Sequence, residues 1–254
     1  MNRALVFIRS LVFEIGRVCL TLVFAVFGQV LWLTPYRVRY YVLGYWARLT
    51  LAWLRITCGV KVSVTGLEHL DRNQPSIVMA HHESAWETLA LNSLLPRHTY
   101  VLKRELMWIP FFGWTLAMLK PIAINRSAGG KALKQLLQQA KQHMNERGDW
   151  VVIFPEGTRV PTGTVGKLSS GAARLAQQMQ VPVYFLTHNA GAVWPKKSFL
   201  KYPGEIKVAI SAPVIPSQWS IEQLNQQAAE FFATGLNNAK IISNKSAQTS
   251  DATL

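Results

Sequence analysis

Read as a pattern of apolar and polar positions, the chain divides near residue 60. Before that point apolar residues are nearly continuous, and Val18 to Tyr36 carries no charge. As a helix this run is about 28 Å long, close to the hydrocarbon thickness of a bilayer. The segment behind it, Tyr36 to Cys58, has helical period: at about 100° per residue Arg37, Arg48 and Arg55 share one face. Leu43, Trp46, Trp53 and Leu54 take the opposite side, and Arg39 departs from the pattern. An arginine edge with a Trp/Leu body suits a helix lying among lipid headgroups. Arg3, Arg9 and Arg17 precede the apolar run and Arg37 and Arg39 follow it. The positive-inside bias therefore favours neither crossing direction, and the pair reads as a hairpin dipping into one leaflet. The run ends in "LWLTPY" without a small-residue cleavage site, which predicts a retained anchor in place of a signal peptide. An ordinary buried helix pair is the competing reading.

Beyond residue 60, short apolar runs rich in branched residues recur between segments of helical period. They are "SIVMA" (76–80), "TYVL" (99–102), "PIAI" (121–124), "WVVIF" (150–154), "VPVYFL" (181–186) and "IKVAI" (206–210). This alternation predicts an α/β domain with a mixed, mainly parallel sheet flanked by helices. Helices are expected over Gly129 to Arg147, with Leu133, Leu136, Leu137 and Ala140 on one side, and over 217–240. The polar "ISNKSAQTSDATL" reads as a flexible tail. The predicted organisation is a membrane-associated two-helix segment (1–58), a catalytic domain (59–240) and a tail (241–254), with no internal repeat.

Composition narrows the chemistry. Lys and Arg number 27 against 13 Asp and Glu, a formal charge of +14 that draws phosphates, whether on nucleic acid, lipid headgroups or a soluble cofactor. Zinc-finger spacing and RNP-like aromatic motifs are absent and the basic residues are dispersed, so no nucleic-acid partner is expected. Two cysteines, Cys19 and Cys58, are too few for a disulfide framework or a four-ligand zinc site. There is no His-Glu-x-x-His, and His143 and His188 stand alone in sequence, so no metal site is expected. Lys167 in "GTVGKLSSG" does not mark a phosphate-binding P-loop, because Pro161 occupies the place of its first glycine and Leu168 that of its Ser or Thr.

The candidate chemistry follows two of the apolar runs. In "MAHHESAWETL" (79–89), His82 and Glu87 would diverge by about 140° on one continuous helix and fail to touch. His82 must therefore sit in the strand-to-helix turn, where open α/β sheets gather their chemistry. Glu87, from the first turns of the helix, would then reach one imidazole nitrogen, fix the tautomer and leave the other nitrogen as a base. "SAWE" is equally a capping box, with Glu87 closing on the Ser84 amide. Ser84 itself lacks the Gly-x-Ser-x-Gly elbow of a serine nucleophile, and His81, facing the other way if extended, is expected to pack or bond locally. The second block is "FPEGTR" (154–159). Gly157 permits a tight turn that offers amides, Thr158 and Arg159 to an anion, and Glu156 is expected to position Arg159 or a substrate hydroxyl. A plain strand-end turn with a surface salt bridge is the alternative.

With these blocks in place the sequence resembles the glycerolipid acyltransferases of the 1-acylglycerol-3-phosphate acyltransferase type. The family's His-x4-Asp motif is matched by "HESAWE" with Glu87 for the aspartate, and its Phe-Pro-Glu-Gly-Thr-Arg motif is matched at every residue from Phe154 to Arg159. "LKRELMWIPFFGW" (102–114) and "VPVYFLTHNAGAVWPKKSF" (181–199, with Pro182 for the late motif proline) extend the likeness over about residues 60–215. The resemblance implies a glycerolphosphate acyltransferase-like fold and acyl transfer from acyl-CoA or acyl carrier protein to the sn-2 hydroxyl of a lysophospholipid acceptor. It implies His82 as general base oriented by Glu87, with Lys103, Arg104 and Arg159 on the acceptor phosphate and Glu156, Gly157 and Thr158 completing that pocket. The apolar "IPFFGW" would receive an acyl chain or serve as ordinary core. It implies direct attack without a covalent intermediate, metal or resident cofactor. The expected location is the inner (cytoplasmic) membrane, with the catalytic domain facing the cytoplasm. Lysophosphatidylglycerol, a lyso-ornithine lipid and glycerol 3-phosphate are the alternative acceptors.

Overall fold

The computed structural model describes residues 2–109, 112–125 and 128–251. It begins with two packed helices, α1 (Arg3–Phe27), prolonged by a 3-10 stretch (Gly28–Leu33), and α2 (Tyr36–Cys58). There follow β1 (Val60–Thr65), β2 (Ile77–Ala80), α3 (Trp86–Leu94), β3 (His98–Lys103), α4 (Phe112–Met118), β4 (Ile122–Ile124) and α5 (Gly130–Lys141). The chain closes with β5 (Trp150–Ile153), α6 (Ser170–Met179), β6 (Val183–His188), α7 (Ala190–Val193), β7 (Gly204–Ile210) and α8 (Ile221–Asp251).

Among the described residues seven strands form one sheet in the order β1-β7-β6-β2-β5-β3-β4. The five strands from β6 to β4 are mutually parallel; β7 runs antiparallel to β6, and β1 pairs parallel with β7. This is the mixed, mainly parallel sheet that the alternation predicts. Of its strands only β1, the half-exposed edge "VKVSVT", lies outside the apolar runs, because it alternates with polar residues. The helix expected over 129–147 is α5 followed by a π-type turn (Gln142–Glu146). The helix expected to end near 240 continues to Asp251, into the stretch that composition reads as a tail.

Period-two alternation sorts the central strands into two faces. Val78, Ala80, Val152, Tyr184 and Leu186 share one core with Trp86 and Leu91 of α3, Leu54 and Cys58 of α2, and Phe13 of α1. Ile77, Met79, Val151, Val183 and Phe185 share the other with residues of α5, α6 and α8, including Leu136, Leu175 and Phe232.

The N-terminal hairpin is therefore part of this core as well as an appendage to it. Lys201, almost fully buried, donates from Nζ to Glu14 Oε1 at 2.8 Å and to the carbonyls of Phe199 (2.8 Å) and Ser198 (3.1 Å). Its backbone N–H donates to Ser10 Oγ at 2.8 Å, and Phe13 packs edge-on against Trp194. By length and composition Arg3–Leu33 is apolar enough to cross a membrane, with a mean hydropathy of 2.0 and little of it buried.

The orientation of α2 differs from the one read off its wheel. Tyr40, Leu43, Ala47, Thr50, Leu54 and Cys58 form its buried stripe, so the leucines expected in lipid face protein. The exposed apolar stripe is Val38, Tyr41, Tyr45, Leu49 and Ile56, beside exposed Arg37, Arg48 and Arg55. Arg39 leaves the arginine edge because it donates to the carbonyls of Trp32 and Thr34, capping the end of the 3-10 stretch.

Candidate active site

Alternation carries past the strand ends and decides which side chains meet. His82 falls in phase with Val78 and Ala80, Phe154 with Val152, and His188 with Tyr184 and Leu186, all on the α3 side of the sheet. His81 falls in phase with Met79 and packs against Phe232 of α8, with ring centroids 5.5 Å apart. Since β6, β2, β5 and β3 are parallel, their C-terminal ends bring His188, His82, Phe154 and Lys103 to one edge. The C-terminal edge of parallel strands is where such sheets place their ligands.

The His82 ring stacks on Phe154 with centroids 4.2 Å apart at 24°. Its Nδ1 lies 2.7 Å from Glu87 Oε1, while its side chain stays 17% exposed. Glu87 Oε1 also accepts from Ser84 N at 3.0 Å. Ser84 Oγ, fully buried, accepts from Trp86 N and donates to the Trp194 carbonyl. The capping box and the imidazole partner are thus one carboxylate oxygen, and both readings of Glu87 hold together. Burial, opposed by the nearby His188 and the Ser84 amide, lifts Glu87 to about 7. With Nδ1–H donated to Glu87, Nε2 carries the lone pair of the neutral ring.

Beneath this pair lies a buried layer of charge. Glu156 is turned inward with its side chain fully buried. It accepts from His82 N (2.8 Å), His81 Nδ1 (3.0 Å) and Gly166 N (3.1 Å). Glu83, also fully buried, accepts from Gly191 N (2.7 Å) and Gly163 N (2.8 Å), and His81 Nε2 stands 3.6 Å away. Burial pulls the His81 imidazole down, but its hydrogen bond to Glu156 and the close Glu83 carboxylate outweigh that and lift it to about 9. Glu83 is held below its ordinary value despite burial, chiefly by His81, then by the nearby His188 imidazole and the two glycine amides. Gly191 must be glycine: a Cβ there would stand 2.7 Å from Thr162 Oγ1 and 2.9 Å from the Glu83 carboxyl carbon.

The remaining predicted residues divide. Gly157 takes φ +72° and donates to the Phe154 carbonyl, making the expected tight turn. That turn is joined to the strand end of β2 by its backbone, since Val160 N donates to the His82 carbonyl at 2.8 Å. Thr158 and Arg104 are exposed, and exposed Lys103 reaches Glu105 at 3.5 Å. Glu156 is the correction. Its carboxylate faces neither Arg159 nor solvent but holds the His82 backbone, because a buried anion settles where amides and a cationic imidazole meet it. His188, isolated in sequence, lies 3.7 Å from Glu87 Oε2 and 4.0 Å from Glu83 Oε1. His143 is likewise partnered, by Asp149 at 3.0 Å. Sequence reasoning missed Glu83 and His188; the available signal was that His82 and His188 each follow an apolar run in the phase that faces α3, but the order of those strands was not in it. Of "IPFFGW", Pro110 and Phe111 lie outside the described residues; Ile109 and Trp114 are exposed. Among the described residues no group of three or more His, Cys, Asp or Glu is arranged to hold a metal ion.

The model of a family described as Acyltransferase matches residues 61–188, from β1 through His188. The chain belongs to this acyltransferase family. A 1-acyl-sn-glycerol-3-phosphate acyltransferase of Pseudomonas aeruginosa is 44% identical over 199 residues, covering 76% of this chain and 76% of that protein. The human 1-acyl-sn-glycerol-3-phosphate acyltransferase alpha is 33% identical over 137 residues, 54% of this chain and 48% of that one. The 1-acyl-sn-glycerophosphate (LPA) acyltransferase PlsC of Thermotoga maritima has a TM-score of 0.68 at 25% identity. That match covers 90% of this chain and 98% of its own. As a member of the family this chain is an O-acyltransferase, an enzyme that moves an acyl group onto a hydroxyl oxygen.

Proposed function

We propose that the acyltransferase acylates the sn-2 hydroxyl of 1-acyl-sn-glycerol 3-phosphate, giving phosphatidic acid, with acyl-CoA or acyl carrier protein as the thioester donor. The observation that carries this reading is the His82–Glu87 pair at the sheet edge with the Arg159 turn bonded directly to the His82 backbone. Names of relatives that act on this lysolipid support the choice of acceptor.

In the proposed cycle His82 Nε2 removes the proton of the acceptor hydroxyl as its oxygen attacks the thioester carbonyl. Glu87 holds the imidazolium that forms, and collapse of the tetrahedral intermediate expels a thiolate, which takes the proton from His82. The base acts without a resident metal or cofactor. Arg159, with Lys103 and Arg104 from the neighbouring strand end, receives the acceptor phosphate by paired N–H donation. Glu156 serves as a positioning residue for the His82 backbone. The N-terminal hairpin brings the site to the lipid surface; we place it at the cytoplasmic leaflet of the inner membrane, with the sheet domain in the cytoplasm. Its exposed apolar residues, including Val26, Phe27, Val30 and Leu33, support burial in that leaflet.

The test is a purified-enzyme assay offering lysophosphatidic acid with each thioester in turn, with phosphatidic acid as the expected product. In Arg159→Ala the KM for lysophosphatidic acid is expected to rise at least about tenfold, with that for the donor nearly unchanged. An equal rise for both substrates removes Arg159 from the acceptor site.

A further inference from the structure

We infer that His188 is a positioning residue for the base, its Nε2–H facing the second oxygen of Glu87 and holding that carboxylate aimed at His82. The inference rests on the reading of His82 as base. Glu87 is fully buried, and its two oxygens are unequally served. Oε1 takes the His82 ring and the Ser84 amide, whereas among the described residues Oε2 has no hydrogen-bond partner and lies 3.7 Å from His188 Nε2. A buried carboxylate oxygen without a donor is costly, more so when the carboxylate must carry full charge opposite an imidazolium.

The tautomer of His188 is set by its neighbours. Ala190 N donates to Nδ1 at 3.2 Å, so the ring proton sits on Nε2, which also lies 3.1 Å from the His81 carbonyl. One N–H therefore looks toward two acceptors, a carbonyl within bonding range and a carboxylate oxygen just beyond it. As charge builds on the Glu87–His82 pair, the stronger acceptor draws that N–H. The ring is fully buried, between the His81 ring at 5.5 Å and the Trp86 edge at 5.9 Å. Burial holds the His188 imidazole below its ordinary value despite the pull of Glu87 and Glu83, and with Ala190 N on its Nδ1 the ring offers an oriented N–H dipole to a layer where His81 already pairs with Glu156 and Glu83. The other groups facing Glu87 are His82 and Glu83 from the turn after β2 and Tyr100 from β3; the Tyr100 hydroxyl is committed to the Thr88 carbonyl.

The experiment compares the full-length enzyme with His188→Asn and His188→Gln, measuring kcat against pH with lysophosphatidic acid and palmitoyl-CoA. Asparagine keeps an acceptor for Ala190 N but its amide ends short of Glu87; glutamine places an N–H where Nε2 sits. Losing the donor favours protonated Glu87, so in His188→Asn the acid limb should move to higher pH by about one unit. On that limb the rate falls about tenfold. His188→Gln should restore the wild-type limb. A purely structural role lowers the thermal midpoint of both variants and leaves the limb in place. An unmoved limb in His188→Asn, or the same shift in His188→Gln, overturns the inference. Should His188→Asn not fold, ring nitrogen resonances of ¹⁵N-histidine-labelled wild-type enzyme decide instead. A proton on Nε2 of His188 is expected, and one on Nδ1 overturns the role. His82→Ala, run in parallel, separates the two proposals: full activity there removes the base, whereas an inactive His82→Ala with an unmoved His188→Asn limb removes only His188.

Discussion

A strand reverses its side chains at every residue, and at the end of β2 this gives two neighbouring histidines different surroundings. His82 turns to α3, keeps some exposure and meets Glu87; His81 turns to α8 and is sealed between Glu156 and Glu83. Because the folded enzyme lifts His81 from 6.5 to about 9, its contribution to stability is fully present below about pH 6.5 and disappears as pH rises through about 9. The thermal midpoint of the wild type is therefore expected to fall across that window by the equivalent of about 1–3 kcal/mol, and the fall to shrink in Glu156→Gln. The same slope in both proteins contradicts the His81 assignment. His82 and Glu87 were legible in the sequence because the turn-then-helix spacing permits only one way for them to meet. His81, Glu83, Glu156 and His188 form their layer across strands β2, β5 and β6, whose adjacency spacing alone does not encode.

At the scale of elements, the helices that lead the chain do two jobs along one length. The first half of α1 is tied into the domain through Lys201, Ser10 and Phe13; the second half exposes Val18, Leu22, Val26 and Phe27. Lys201→Met removes the buried cation from Glu14, which keeps Arg17 on its other oxygen, and is expected to cost about 1.5–3 kcal/mol in denaturant unfolding, with part of the loss recovered in Lys201→Met/Glu14→Gln. Equal stability of wild type and single variant refutes the clamp. The extent of α2 was legible from its arginine period, but its orientation was not. A Trp/Leu face that packs on protein has the same periodicity as one that packs on lipid, and only the neighbouring α1 and α3 decide between them. Strand β1 escaped for a related reason: as a half-exposed edge it carries only alternation, without a continuous apolar run.

At the scale of the whole molecule, the outer faces of α1 and α2 join an exposed apolar surface with a rim of arginines, on a chain whose net charge is +14. Apolar insertion and attraction to anionic headgroups then act together. Wild-type enzyme is expected to sediment with phosphatidylglycerol-containing vesicles at physiological salt, and Val26→Glu/Leu33→Glu to remain largely in solution; equal sedimentation contradicts the proposed contact face. This surface and the sheet edge make one account, in which an acceptor lipid is held by its phosphate while an imidazole draws the proton from its hydroxyl. The rate of acyl transfer to lysophosphatidic acid by His82→Ala tests that account most directly. It is expected to fall about 10²–10⁴-fold with vesicle binding unchanged, whereas a rate close to that of wild type would contradict it.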